Sequence, residues 1–163
     1  MKSITTYITE KLKITKSNKP SYNSYNYKYF PKTNKELYDI VTKLVDEQSM
    51  EDVINLNSID ISELTDMSFT FDGMEGLLKI DVSNWDVSNV KYMDSMFKGC
   101  INLEKIVGIE DWDVSNVESM QDMFRGCEAF NQDISKWNVS KVENESCIFF
   151  YCNIEEKNKP KFK

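Results

Sequence analysis

A short α/β solenoid of strand–turn–helix units is the fold class this sequence predicts, on three observations. The first is a repeat. Trp85-Asp86-Val87-Ser88-Asn89-Val90 returns as Trp112-Asp113-Val114-Ser115-Asn116-Val117 and as Trp137-Asn138-Val139-Ser140-Lys141-Val142, after a fainter copy at Ile59-Asp60-Ile61-Ser62-Glu63-Leu64. The second is its period: Ile61, Val87, Val114 and Val139 are 26, 27 and 25 residues apart, the range of leucine-rich-repeat-like units. The third is an apolar stripe at helical spacing after each strong copy, Val90, Met93, Met96, Phe97 and Cys100, then Val117, Met120, Met123, Phe124 and Cys127.

Within each unit, an apolar residue three before the tryptophan position (Leu56, Val82, Ile109, Ile134) marks a strand-like run feeding a turn. Ser115 with Glu118, and Ser140 with Glu143, have the spacing of a capping box, so a short helix is expected to start there and to end at Gly99 and Gly126. One such unit cannot bury its own apolar face. Stacked copies can, through a shared ladder of Trp85, Trp112, Trp137, Met93, Met120, Phe97, Phe124, Cys100, Cys127 and Cys152.

The flanks divide the chain into four parts. Residues 1–32 hold a short helix over Met1 to Leu12, with Ile4, Tyr7, Ile8 and Leu12 on one side, and a Tyr/Asn/Lys-rich linker whose Tyr22, Tyr25, Tyr27 and Tyr29 are read as cover for the first unit. Residues 33–55 form a capping region: Thr33 and Glu36 make a capping box, and Leu37, Ile40, Val41, Leu44 and Val45 line one face of a helix running to Glu47. Residues 56–154 hold the four units. Residues 155–163 are a Lys-rich tail expected to lack regular structure, Lys159-Pro160-Lys161 favouring none.

Composition narrows function. The chain has 163 residues, net charge −7 and pI about 4.7, so contact with nucleic-acid phosphates is disfavoured by repulsion. Residues 1–40 carry eight lysines against three acids, which leaves 12 basic and 24 acidic side chains for the rest. No apolar run approaches the ~20 residues of a membrane helix, and Glu10, Lys11 and Lys13 interrupt the opening, so neither membrane insertion nor a signal peptide is expected. A cytoplasmic or virion-associated location is expected ahead of self-export. Histidine is absent, which removes the commonest general base and most catalytic zinc sites. An enzyme would rely on carboxylates, and nothing singles out a pair among the 18 acids of residues 56–152.

Three constellations have a plain structural explanation. Cys100, Cys127 and Cys152 recur at one repeat position and read as a buried thiol ladder, spread along the stack at about 5 Å rather than closing on a zinc ion. Cys147 falls where the previous unit has Asp122 and is expected to face solvent. The row Asp60, Asp86, Asp113 and Asn138 suits calcium in oxygen count, yet turn amides beside each residue account for Asp and Asn without a metal. The sequons at Asn138 and Asn144 are discounted, the first being a variant of the repeat.

The tryptophan, Asp-Val-Ser-Asn-Val, Met123-Phe124-Arg125-Gly126-Cys127 and Phe130-Asn131-Gln132-Asp133-Ile134-Ser135 together resemble the BspA-like leucine-rich-repeat surface proteins over residues 56–152. That resemblance implies partner binding or adhesion of the kind bacterial, protist and viral surface proteins perform. The opening helix resembles the short targeting helices of proteins packed into phage heads. The expectation is a non-enzymatic protein-interaction module without cofactor or metal. It would bind a protein partner through an acidic repeat surface that includes Asp86, Asp113, Asn138, Asn89, Asn116 and Glu63, with Asn84 and Lys136 nearby. The alternatives are a structural or packaged component of a virus particle and a calcium- or glycan-binding adhesin.

Overall fold

A computed structural model of the chain describes residues 26–163. The helix expected over Met1 to Leu12, together with Tyr22 and Tyr25, falls outside them.

Helix α1, Asn34–Glu47, forms where the capping box and apolar spacing place it. The Thr33 hydroxyl accepts from the Glu36 amide at 3.2 Å, which satisfies one amide that the helix start leaves open, and the Glu36 carboxylate accepts from the Lys32 amide just before the cap at 2.7 Å. Leu37, Ile40, Val41 and Leu44 are buried on one face. Three short strands follow, β1 (Ile54–Asn55), β2 (Lys79–Asp81) and β3 (Lys105–Val107), paired in parallel in the order β1-β2-β3 with Ile54, Ile80 and Ile106 in register.

The expected strand–turn–helix solenoid of leucine-rich-repeat type is not what forms. The described residues contain one α-helix, α1, and this small parallel sheet; no α-helix follows the strand of any repeat, and β3 leads only into a 3-10 turn at Ile109–Asp111. The reason lies in where the backbone amides go. Met93, Ser95, Phe97 and Gly99 donate to the carbonyls of Ser119, Gln121, Met123 and Arg125 in the next repeat, at 2.8–3.0 Å. The amides between them close turns: Met96 to Met93, Lys98 to Ser95 and Cys100 to Phe97, at 3.1–3.3 Å. A helix needs each amide on the carbonyl four residues back, so this alternation excludes it.

The backbone also turns the wrong way for a helix at one recurring position, with φ of 62° at Phe69, 54° at Ser95, 55° at Asp122 and 55° at Cys147. Gly73, Gly99 and Gly126 add a second left-handed site at 72–75°. Consecutive turns return Met93, Met96, Phe97 and Cys100 to the same side, which is why the stripe imitated a helix. Ser115 and Ser140 cap no helix either; their amides are held by Asp113 and Asn138.

Of the ten side chains expected in the ladder, nine are buried and Cys152 is half-buried. Phe71, Phe97 and Phe124 stack with ring centroids 5.0 and 5.4 Å apart and planes within 13°, a geometry worth about 0.5–1.5 kcal/mol per pair beyond burial. The three tryptophans are all buried. Trp112 and Trp137 stack at 6.2 Å, and the Trp85 and Trp137 indole N–H groups donate to Leu56 and Ile109 carbonyls, at 3.1 and 3.0 Å. The Cys100 and Cys127 thiols donate to the carbonyls of Phe71 and Phe97, one repeat earlier, at 3.1 and 2.9 Å. Burial pushes the Cys100 thiol up to about 12 and raises Cys127 and Cys152 as well.

Both outer edges of the sheet are closed by a glutamine whose amide imitates a peptide. Gln48 donates to the Asn55 carbonyl at 3.1 Å and accepts from its amide at 2.9 Å; Gln132 does the same to Ile106 at 3.2 and 2.5 Å. The tail, read from sequence as irregular, folds back: Glu156–Asn158 form a 3-10 turn, the Asn158 carbonyl accepts from the Ile134 amide at 3.0 Å, and Phe162 packs on the core.

Candidate interaction surface

The recurring Asp-Val-Ser turn places a polar side chain at the same corner of every repeat. Asp60, Asp86, Asp113 and Asn138 each accept from the backbone amide two residues on, at 3.1–3.2 Å. Asp60 and Asp86 also accept from the hydroxyls of Ser62 and Ser88, at 2.7 and 2.6 Å. These contacts make each residue a turn former, as short polar side chains favour. The Ser115 hydroxyl and amide hold the Asp113 carboxyl below the usual carboxylate range.

Asn89 and Asn116 bind the repeats to one another. Their side-chain amides donate to the carbonyls of Ser62 and Ser88 in the preceding repeat, at 2.9 and 2.8 Å, and Lys141 closes on the Asn116 oxygen at 2.7 Å. Glu63 pairs with Lys32. Asp86, Asp113, Asn138, Asn89, Asn116 and Glu63 are all exposed, and the backbone links that join Thr65, Lys91, Glu118 and Glu143 in sequence keep their repeats in register. Neighbouring rows therefore lie about one strand spacing apart, ~4.8 Å. Asn84 sits at the same side, its amide held by Asn57 at 2.8 Å, and exposed Lys136 borders a shallow cleft with Asp133 and Glu110.

Several features of this surface escaped the sequence reading. A groove of about 600 Å³ separates α1 from the first repeat, lined by Tyr38, Thr42, Val45, Asp46, Met74 and Leu78. Phe69 and Leu78 expose more than half their area near it. The signal for Phe69 was present but unread, since an aromatic residue stands there at the position held by Ser95 and Asp122. Gln132 lies in the Phe130–Ser135 motif, and no periodicity argument reveals its edge-closing role.

Among the described residues no group of three or more Cys, Asp or Glu side chains is placed to hold a metal ion, and no helix is long and apolar enough to cross a membrane. No curated protein and no solved structure matches the chain. Residues 39–162, most of the chain and all of the repeats, match the model of a family described as DUF285, Mycoplasma protein of unknown function, and the chain belongs to that family.

Proposed function

We propose that the chain is a non-enzymatic protein-interaction module whose acidic repeat corners engage a protein partner. One observation carries the reading: exposed Asp86 and Asp113 occupy equivalent corners of successive repeats, each locked by its own turn. Carboxylates fixed in this way lose little side-chain entropy on meeting a cationic surface. Their charge also raises the encounter rate with basic partners.

The turn contacts decide which variant tests the idea. Asp86→Lys would remove the acceptor of the Ser88 amide and confuse unfolding with lost binding. Asp86→Asn/Asp113→Asn removes the charge and keeps the acceptor, since Asn138 and Asn144 form the same turn in this chain, each at 3.2 Å. Pull-down from the native source with the wild-type and double-Asn chains, at low and moderate salt, should show partners retained by wild type, released by the variant and weakened by salt. Equal retention by both chains would refute the acidic corner as the contact.

A further inference from the structure

We infer that the last repeat holds open a backbone edge, the amides of Glu145, Cys147, Phe149 and Tyr151, for an extended lysine- or arginine-bearing segment of a partner protein. At each earlier junction alternate amides of one repeat meet alternate carbonyls of the next. Met67, Phe69, Phe71 and Gly73 donate to Tyr92, Asp94, Met96 and Lys98 at 2.7–2.9 Å, and Met120, Asp122, Phe124 and Gly126 donate to Asn144, Ser146, Ile148 and Phe150 at 2.8–2.9 Å. The row in the same register on the last repeat is 145, 147, 149 and 151. None of these four amides has an acceptor among the described residues, whereas those of Ile148, Phe150 and Cys152 between and beside them are engaged in turns.

The other edges are treated differently. Gln48 and Gln132 close both sides of the sheet. At the first repeat, Asn34, Lys35 and Tyr38 of α1 face Ser68, Phe69 and Asp72, and Ser68 and Thr70 are buried. The open row also keeps a costly backbone. Cys147 has φ 55°, and Tyr151 has φ 56° at the position that Gly73, Gly99 and Gly126 occupy in the preceding repeats. A left-handed tyrosine is strained, and this repeat keeps it although none of the described residues accepts from its amide. The carbonyls of Glu145, Cys147 and Phe149 are taken by the Ile148, Phe150 and Cys152 amides, so the row offers donors alone, which an extended chain can meet with alternate carbonyls.

Charge selects the occupant. Glu143 and Glu145 are exposed and in no ion pair among the described residues, and the neighbouring Lys141 is taken by Asn116. Phe150 and Tyr151 add exposed aromatic surface, 45% and 72% accessible, with the Arg125 guanidinium over the Phe150 ring at 5.2 Å. A segment alternating cationic and apolar residues meets the carboxylates with one set and the aromatic rings with the other. This edge shares with the acidic-corner reading only the premise that the chain binds protein; its contacts are separate.

The test uses amide exchange by NMR on the full chain, with a capped decapeptide alternating lysine and valine as probe. Exchange at Glu145, Cys147, Phe149 and Tyr151 is expected to slow at least about tenfold on saturation, while Ile148, Phe150 and Cys152 stay unchanged. A maleimide-linked polymer on exposed Cys147 should abolish the effect, and Asp86→Asn/Asp113→Asn should leave it intact. Absence of binding, protection without the alternate-residue pattern, undiminished binding by the blocked thiol, or loss of protection in the double-Asn chain would each overturn the assignment. Loss of the native partner in the double-Asn chain alone bears on the acidic corner and not on the edge.

Discussion

Gly108→Ala probes the fit between repeats at its tightest point. The strand register pairs Asp81 with Val107, 26 residues on, yet Trp85 is followed by Trp112 after 27, so one residue is inserted just past β3. Gly108 lies in that insertion, at φ 93°. A methyl there would stand 2.5 Å from Ser83 Cα, 3.0 Å from Ser83 Cβ and 3.1 Å from Ser83 N. Carbon atoms in contact sit about 3.5–4.0 Å apart, so two backbones must separate by about 1 Å. Left-handed strain costs about 1–2 kcal/mol and overpacking about 1–3 kcal/mol, together roughly 2–5 kcal/mol. Gly99→Ala is the control for strain alone: φ is 72°, but the added methyl meets Gly73 Cα at an ordinary 3.6 Å, so about 1–2 kcal/mol is expected. Urea unfolding followed by tryptophan fluorescence at constant m-value measures both. A Gly108→Ala chain within about 0.5 kcal/mol of Gly99→Ala would refute the close-approach argument.

Other expectations follow from single contacts. Trp112 and Trp137 are equally buried, but the Trp112 indole N–H has no partner among the described residues while that of Trp137 donates at 3.0 Å; in urea unfolding, Trp137→Phe should therefore cost about 1 kcal/mol more than Trp112→Phe. Gln132→Ala strips both hydrogen bonds from fully buried Ile106 and should lose about 1–3 kcal/mol, with faster exchange of the Ile106 amide. Native thiol titration at pH 8 should modify exposed Cys147 first and leave Cys100 and Cys127 unreacted until denaturant is added, since burial keeps their thiols protonated. The Asp113, Asp133, Glu118 and Glu155 carboxyls are lowered in the fold, chiefly by hydrogen bonds from Ser115, Ser135, Lys91 and Lys157, so their contribution is present above the unfolded values of 3.8 and 4.5 and disappears as pH falls through the folded ones. Thermal melts should hold level from neutral pH to about 5 and decline below about 4.

The ladder and the helix were legible for different reasons. Leu37, Ile40, Val41 and Leu44 with the Thr33–Glu36 cap are local, and local spacing is enough to define a helix whose amides bond within itself. The tryptophan, valine and phenylalanine positions were legible because repetition at 25–27 residues brings equivalent side chains together whatever the backbone between them does. Asp86 and Asp113 serve as the turn oxygens their neighbours suggest, while exposed Asn89 and Asn116 also link repeats, a role that sequence did not show. Their partners lie 27 and 28 residues away, beyond any local rule.

The sequence by itself determined the repeat, the helix of residues 34–47 and most of the buried side chains, since these depend on spacing and polarity alone. Tertiary structure decided the backbone of the second half of each repeat. The stripe Met93, Met96, Phe97, Cys100 satisfies a helix and a run of turns equally well. What separates them is the destination of the amides of Met93, Ser95, Phe97 and Gly99, and the carbonyls that receive them belong to the next repeat. The same dependence leaves the amides of Glu145, Cys147, Phe149 and Tyr151 without an acceptor among the described residues.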